Sequence, residues 1–415
     1  MDFSYAGNVG GKRPVWRMRP SLAPVGGAQL SEIRFNWIAR VSNICRAGIV
    51  VATYIVLGSF LPLPAEATPR DTVIATVSLN GSLFPQSIVL NPKAEAAYVI
   101  CQLGFIYGID TTSNTISFTY QETVEALGSM CISRDGQTLY FLGIGGTNTL
   151  NQFSLAQQTV ISSLPDGTSR GIPAVSPDNS LVYLPDSFAT GNGVRVFSTN
   201  PFSQTGTIAG GSNPYQAVFT PDGKHAYITD LNVQRSGWVD YVDVGAGTLT
   251  RITEAKPGPR FNAPWGIAVS PNGETVYVTQ FDSFNSKGVQ EKGVVLIDAT
   301  TNAISSAISV TASGANAANW STFLGLPAVT PDGKYLYVPV NSATYIDPTT
   351  GQPTKSIVGN TVAVINLNRR KVIGEVTVAS YPSQVVIAAD GKRAYVLDEV
   401  SGGGAAVTVI DITGS

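Results

Sequence analysis

The sequence predicts an all-β fold: one seven-bladed β-propeller of four-stranded antiparallel blades, whose ring is closed by an N-terminal strand that pairs with the last blade. The chain of 415 residues is 43% hydrophobic and 13% charged, with 42 glycines and 25 prolines. This composition favours short strands joined by tight turns. A unit with one polar turn and one tyrosine strand occurs seven times, which is typical of propeller blades.

Residues 1–67 differ from the repeats and have the layout of a secretory signal. Three arginines precede the apolar run AGIVVATYIVLGSF, and LPLPAEA then ends in an A-x-A pattern at Ala65 and Ala67. The run has about 14 residues, which suits a signal peptide and is shorter than the roughly 20 of a membrane-spanning helix. We therefore expect residues 1–67 to be an N-terminal extension and signal peptide, cleaved after Ala67, and residues 68–415 to be the propeller.

Two alternatives for the N-terminus stay open from the sequence. One is an uncleaved signal anchor with a long cytoplasmic tail, and the other is a start codon placed too early, with Met18 as the true start. The propeller is expected outside the cytoplasm, as a periplasmic, secreted or cell-surface protein. A membrane contact is expected only through an uncleaved signal segment.

The charge balance argues against nucleic acid as a partner. Residues 1–67 hold seven of the 26 basic and three of the 28 acidic side chains. The remaining 19 basic and 25 acidic side chains give the mature chain a net charge of −6. A mildly acidic domain lacks the basic surface that nonspecific nucleic-acid binding needs. We expect a monomer with a protein, peptide or polysaccharide ligand.

The cysteines give no sign of a cofactor. Of the three, Cys45 lies in the signal segment, which leaves Cys101 and Cys131 in the mature chain. An oxidising compartment would allow these two to form one disulfide, and buried free thiols are the alternative. The sequence has no C-x-x-C-H haem motif and no C-x-x-C metal motif, so we expect no cofactor and no metal.

Every repeat has the same order of strands and turns. An apolar strand such as GIAVS leads through a polar turn such as SPNGE to a tyrosine strand, and a strand such as VVLID, a turn such as ATTN and a fourth strand follow. Asp-Gly marks hairpins, because both central residues of a type I′ turn need positive φ. The repeated tyrosines are Tyr98, Tyr140, Tyr183, Tyr227, Tyr277, Tyr337 and Tyr395.

A spare strand and an incomplete last repeat predict how the ring closes. The last repeat ends after VTVIDIT without a fourth strand, whereas TVIATVSL at residues 72–79 precedes the first repeat and belongs to no blade of its own. Pairing these two segments gives seven complete blades. It also removes an exposed sheet edge, which would otherwise template aggregation.

The pattern SPNGETVYVTQ followed by VVLIDATTN resembles the bacterial and archaeal YVTN-repeat propellers. That family is named for a Tyr-Val-Thr-Asn stretch, which residues 277–280 nearly reproduce with Tyr-Val-Thr-Gln. The other copies depart from it and read YVIC, YFLG, YLPD, YITD, YVPV and YVLD. The resemblance covers residues 72–413. It implies an extracytoplasmic seven-bladed propeller and no shared set of catalytic residues.

The long insertions are predicted to lie on one face of the ring. In a meander of four antiparallel strands, loops from strand two to strand three and loops between blades emerge together, and the other face carries tight turns. The insertions FDSFNSKGVQEKG and NSATYIDPTTGQPTKSIVGN are of the first kind, and ITEAKPGPRFNAPW and TASGANAANWSTFLGLP are of the second. This loop face, over blades four to six, is the expected binding surface.

Aromatic and polar residues gather on the loop face where the inner strands begin. Because these strand starts converge on the central channel, the side chains could together line a concave pocket for a ligand. The alternative is that each Trp or Tyr plugs the channel or packs between blades. The candidate ligand-binding residues are Arg170, Asn213, Tyr215, Arg260, Asn262, Trp265, Trp320 and Tyr381.

Catalytic groups are scarce in the sequence. The only histidine, His225, follows a TPDGK turn and is expected on the turn face, whereas Ser-His-Asp or Cys-His chemistry needs a base held by a third group. Five aspartates are spread one per turn, and each can bond its own turn backbone, so we expect no catalytic residue. These aspartates are Asp135, Asp178, Asp222, Asp332 and Asp390.

These observations favour a binding or scaffold module over an enzyme. The expected partner is a protein, peptide or polysaccharide held by the loop face. The alternative is a lactonase-like propeller hydrolase or lyase with its site at the channel mouth, for which only Arg170 and Arg260 offer comparable chemistry. A redox propeller is disfavoured, because the sequence lacks haem and copper ligand patterns.

Overall fold

The structure is a computed structural model that describes most of the second of two compact units, Pro64–Ser415. The described residues are 71–79, 84–122, 126–145, 148–167, 170–187, 193–231, 237–252, 261–280, 293–312, 320–347, 349–350, 353–400 and 404–414. The expected signal segment lies outside them. Within these ranges, no helix has the length and apolar character needed to span a membrane.

The described strands form seven separate antiparallel sheets, one for each blade. Blade one contains β2 (Pro85–Leu90), β3 (Ala96–Cys101), β4 (Phe105–Asp110) and β5 (Thr115–Gln121). Blade two contains β6 (Ala126–Ile132), β7 (Thr138–Ile144), β8 (Asn148–Ser154) and β9 (Thr159–Gly167). Blade three contains β10 (Ala174–Val175), β11 (Leu181–Pro185), β12 (Gly193–Thr199) and β13 (Phe202–Ala209). Blade four contains β14 (Pro214–Phe219), β15 (His225–Asp230), β16 (Trp238–Asp243) and β17 (Thr248–Arg251).

The remaining three blades complete the ring. Blade five contains β18 (Pro264–Val269), β19 (Thr275–Gln280), β20 (Val294–Asp298) and β21 (Ala303–Ile308). Blade six contains β22 (Trp320–Leu324), β23 (Ala328–Val329), β24 (Tyr335–Ile346), β25 (Pro353–Asn366) and β26 (Lys371–Thr377). Blade seven contains β27 (Pro382–Ile387), β28 (Arg393–Val400), β29 (Gly404–Asp411) and β1 (Thr72–Ser78).

The architecture confirms the predicted all-β, seven-bladed propeller and its closure. In blade seven, β1 pairs antiparallel with β29, so that Val77 lies opposite Val407 and Ser78 lies opposite Ala406. The N-terminal strand is therefore the outer strand of a sheet whose other three strands end the chain.

The repeated tyrosine explains how neighbouring blades adhere. Seven hydrophobic clusters lie between adjacent blades, and each contains one of the seven tyrosines. The Tyr227 hydroxyl of blade four donates to Asn302 Oδ1 of blade five at 2.7 Å. The Tyr337 hydroxyl of blade six donates to Asp71 Oδ2, next to β1, at 2.7 Å. Burial of each ring stabilises its interface by roughly 2 kcal/mol.

The turn aspartates hold their own turns together, as predicted. Asp222 Oδ1 accepts from the Thr220 hydroxyl at 2.6 Å and from the Lys224 backbone N–H at 3.1 Å. These bonds lower the pKa of the Asp222 carboxyl, and the bond from Thr220 has the largest effect. In the other four turns the aspartate likewise accepts from the N–H two residues later. The five carboxylates are thus part of the turn framework.

One predicted loop is a sheet extension instead. Residues 341–360 were expected as a loop, but residues 341–346 continue β24 and residues 353–360 belong to β25, so that Tyr345 lies opposite Lys355. β22 adds a third strand along β24, and its Trp320 packs on Tyr345 with ring centroids 5.6 Å apart. Cross-strand aromatic pairs and β-branched residues stabilise strand pairing, which explains why blade six extends beyond the repeat.

Candidate functional site

The inner strands of the blades surround a central cavity of about 190 Å³. Each blade contributes, because every inner strand begins at the channel mouth. Parallel bridges from Ile172 to Gln216 and from Leu326 to Gln384 tie neighbouring strand starts together. The cavity residues at the strand starts are Gln86, Gly128, Ser129, Arg170, Ile172, Tyr215, Trp265, Leu326, Ser383 and Gln384.

Two of the predicted aromatic residues meet in this cavity. The rings of Tyr215 and Trp265 are stacked, with centroids 4.2 Å apart and planes 30° apart. Phe323 also contacts Trp265, edge-on, with ring centroids 5.7 Å apart. Burial raises the pKa of the Tyr215 hydroxyl, so this phenol stays neutral. The stack forms an aromatic wall that spans blades four, five and six.

Most polar groups of the cavity are used within the ring. Gln384 of blade seven donates to the Ile88 carbonyl and accepts from the Ile88 N–H of blade one, both at 3.0 Å. The Ser129 hydroxyl of blade two donates to the Gly171 carbonyl of blade three at 2.6 Å. These bonds join neighbouring blades, as does the bond from the Ile267 N–H to Gln216 Oε1 at 3.0 Å.

Arg170 and Gln102 are the polar lining residues best placed to receive a ligand. Both line the cavity, both are exposed, and among the described residues neither side chain has a hydrogen bond. Arg170 is also the only charged side chain of the described lining. A planar guanidinium with free donors next to an aromatic wall suits a carboxylate, a carbonyl or another aromatic ring.

The predicted asparagines hold strand starts in place and do not line the cavity. Asn213 and Asn262 are buried, and each lies just before an inner strand. The Asn213 N–H donates to Asp230 Oδ1 at 3.1 Å, and the Asn262 N–H donates to Gln280 Oε1. Asp230 and Gln280 each lie three residues after the repeated tyrosine, in the fourth position of the stretch that begins with it. The side chain at this position accepts a hydrogen bond from the backbone just before the inner strand of the same blade.

The other predicted site residues lie elsewhere. Trp320 is buried in the extension of blade six, where Lys355 Nζ lies 5.8 Å from its ring centroid. Tyr381 has φ 51° before β27 and donates its N–H to the Gly359 carbonyl. Arg260 lies outside the described residues.

An apolar rim that the sequence analysis missed borders the cavity. Phe84 and Leu103 are each 46% exposed. Phe84 lies two residues before the cavity residue Gln86, and Leu103 directly follows the cavity residue Gln102. The Gln102 N–H donates to the Phe84 carbonyl at 3.0 Å, so the two segments are adjacent. Exposed apolar side chains next to a pocket are typical of interaction surfaces.

The buried carboxylates lie outside the central cavity. Between blades two and three, Arg195 Nε is 3.2 Å from Asp186 Oδ2. Burial, reinforced by the Asp186 charge and opposed by Arg195, raises the pKa of Asp166 to about 7. Among the described residues, no three His, Cys, Asp or Glu side chains are grouped to hold a metal ion.

The cysteines and the histidine serve the framework. Cys101 and Cys131 are both buried, and neither is in a disulfide, so the structure does not contain the bridge that the sequence allowed. Burial raises the pKa of the Cys131 thiol. His225 begins β15 at the turn face, where its Nδ1 pairs with the Tyr241 hydroxyl at 2.8 Å.

Comparisons with known proteins support the fold and stop there. No family model matches the chain, and no curated protein matches it. A solved structure described as Kuenenia stuttgartiensis hydrazine synthase is similar, with a TM-score of 0.63 and 18% identity over 81% of this chain and 97% of that chain. Because 1753 chains of solved structures match and this one has so low an identity, the likeness concerns a widespread fold. The chain is a seven-bladed β-propeller, a fold that does not by itself specify a function.

Proposed function

We propose that this chain is an extracytoplasmic binding module of the YVTN-repeat type, which holds a protein or peptide partner at the channel mouth on its loop face. The observation that carries the proposal is the aromatic wall of Tyr215, Trp265 and Phe323 beside the unpaired Arg170. Trp, Tyr and Arg are the residues that most often dominate binding energy at protein interfaces.

The size of the cavity favours a partner that inserts a single group. Small-molecule sites usually have volumes of about 300–1,000 Å³, whereas this cavity has about 190 Å³. A partner can place one side chain against the Trp265 ring and spread over the rim around it. The exposed Phe84 and Leu103 then provide the apolar contacts of a protein interface.

A lactonase-like hydrolase or lyase is supported less well. Such chemistry needs an acid, a base or a metal next to the reacting bond. In the described lining the only charged side chain is Arg170, and the buried Asp166 and Asp186 lie between blades two and three. The wall and the rim favour recognition over bond cleavage.

The experiment is capture from the cell-envelope fraction, followed by affinity measurements on the captured partner. Trp265→Ala and Arg170→Ala should each weaken binding by roughly 1–4 kcal/mol, as hot-spot truncations do. Asp222→Ala and Lys224→Ala on the turn face are the matched controls and should leave the Kd unchanged.

Thermal unfolding of the same four variants separates binding from packing. If Trp265 only packs between blades, Trp265→Ala lowers the Tm without a specific loss of affinity. Equal losses from both faces would refute the loop-face site. If protease treatment of the envelope fraction leaves capture intact while periodate abolishes it, the partner is a polysaccharide and the protein-partner proposal is wrong.

A further inference from the structure

Turns of neighbouring blades stack on one another around the turn face. The glycine of one turn lies against the proline of the preceding blade's turn, and each of these glycines has a positive φ, which other residues rarely adopt. A Cβ added at Gly223 would lie 3.3 Å from Pro177 Cδ, and one added at Gly391 would lie 3.6 Å from Pro331 Cδ. Four such proline and glycine pairs join blades three to seven: Pro177 with Gly223, Pro221 with Gly273, Pro271 with Gly333 and Pro331 with Gly391.

This stacking pair is missing between blades seven and one. Ala389 stands where the four turns have proline, and Ala94 stands where they have glycine. Ala94 does not adopt the positive φ of the glycines, and the Lys93 N–H instead donates to Asn91 Oδ1 at 2.9 Å. A groove of about 750 Å³ opens at this junction, more than twice the 340 Å³ groove beside the stacked pair of blades six and seven.

The groove has three basic side chains, Lys93, Lys392 and Arg393, and two acidic ones, Glu95 and Asp390. Both carboxylates have partners. Glu95 Oε2 accepts from the Thr111 hydroxyl at 3.2 Å, and Asp390 Oδ1 accepts from the Lys392 N–H at 3.0 Å.

The two lysines, in contrast, have no ion pair among the described residues. Lys334, which has the position of Lys392 in the turn of blade six, lies 2.9 Å from Asp332 Oδ2. Arg393 Nη1 donates to the Thr111 carbonyl, which fixes its guanidinium across the junction. The groove is therefore a basic recess on a chain whose mature form is acidic.

We propose that this groove binds a short acidic oligosaccharide, whose carboxylate or sulfate groups pair with Lys93 and Lys392. The volume suits a ligand of that size, and ammonium and guanidinium groups are the usual partners of such anions. The groove offers an exposed hydroxyl at Thr112, whereas its one aromatic residue, Tyr395, is 1% exposed. A peptide would find no apolar anchor of the kind that dominates peptide interfaces. The site is independent of the loop-face proposal.

Titration calorimetry of the purified protein tests the proposal with three defined ligands: tetragalacturonate, a sulfated tetrasaccharide and a neutral tetrasaccharide. We expect binding of at least one anionic ligand, weakened by salt, and none of the neutral one. The two anionic arms tell carboxylate from sulfate recognition. The double variant Lys93→Gln/Lys392→Gln should raise the Kd at least tenfold. Lys224→Gln, at the same turn position in blade four, should stay within twofold of the unmodified protein.

A second variant tests the groove apart from its charge. Ala94→Gly/Ala389→Pro introduces the pair that joins blades three to seven, so it should narrow the groove towards the 340 Å³ found beside the pair of blades six and seven and weaken binding, while the Tm stays the same or rises. Trp265→Ala should bind the oligosaccharide normally. Absence of binding to either anionic ligand, unchanged binding by the double lysine variant, or tighter binding of hexaglutamate than of both oligosaccharides would overturn the proposal.

Discussion

At the scale of single residues, the repeat places polar side chains where backbone groups need hydrogen-bond partners. The fourth position of the tyrosine strand shows this best, because Asp230 and Gln280 accept backbone N–H groups there and fix the start of their own blades. Asp398 has the same position in blade seven and is fully buried, but neither of its carboxylate oxygens has a hydrogen-bond partner in the described structure. Burial, only partly offset by the nearby Thr408 side chain and backbone, raises the pKa of Asp398 to about 7.

This raised pKa predicts that Asp398→Asn stabilises the propeller at high pH. Below about pH 4 the carboxyl is protonated in both the folded and the unfolded chain, so it costs nothing. As the pH rises from about 4 to 7, the Asp398 carboxyl ionises in the unfolded chain but stays protonated in the folded chain. The free energy of unfolding therefore falls by up to roughly 4 kcal/mol. Asparagine cannot ionise, so the advantage of Asp398→Asn over the native residue should grow over this pH range and level off above it.

Urea unfolding of both proteins at pH 4.5 and pH 8 measures this difference. Asp411→Asn is the control: bonds from Thr413 lower the pKa of Asp411, so its replacement should cost about the same stability at pH 4.5 and pH 8, and the cost should fade only below about pH 4. A gain from Asp398→Asn that is the same at both pH values would contradict the buried-charge explanation.

The residues of the candidate site that the sequence predicts are those at positions defined by the repeat. Arg170, Tyr215 and Trp265 were predictable, because they stand at strand starts and the repeat shows that strand starts converge. Phe84 and Leu103 were not, since nothing in the sequence distinguishes an exposed apolar residue on a short loop from a buried one. Phe323 was missed because it lies in a strand that no other blade has.

At the scale of elements, the strands that belong to the repeat were predictable, and those outside it were not. The closure by β1 could be predicted by counting strands, because the last repeat has only three strands and the spare strand before the first repeat can complete that sheet. The extension of blade six did not, because Asp, Pro, Thr and Gly residues at 347–352 indicate a loop, whereas the pairing on each side depends on contacts of Trp320 with Tyr345. Local pattern predicts a turn, but only tertiary contacts decide how long its strands are.

The role of β1 can be tested with two identical substitutions in the one strand. Val77 is 6% exposed and belongs to the cluster between blades seven and one, whereas Val73 is 42% exposed. Val77→Ala should destabilise the protein by about 1.5–3 kcal/mol through lost burial and a cavity. Val73→Ala should stay within about 0.5 kcal/mol. Chemical denaturation of both variants measures these differences, and similar losses at the two positions would mean that β1 does not pack as the fourth strand of blade seven.

At the scale of the whole molecule, the ring depends on its first few described residues. β1 supplies the outer strand of blade seven, and Asp71 accepts a hydrogen bond from Tyr337 of blade six. A break in the chain after Asp71 would remove a contact between blades, and a break within β1 would open a sheet edge. Proteolytic processing is compatible with this fold only if it occurs before residue 71.

The signal layout satisfies that condition, because cleavage after Ala67 leaves Thr68 as the first residue and keeps Asp71 and β1. We predict that the protein recovered from outside the cytoplasm begins at or next to Thr68, as N-terminal sequencing and intact mass should show. Signal peptidase needs small residues in the A-x-A pattern, so Ala67→Phe should leave a precursor that retains the apolar run, whereas Ala67→Ser should still be processed. A native exported chain that keeps residues 1–60 would instead establish the uncleaved anchor, and a chain that begins after residue 72 would be inconsistent with closure of the ring by β1.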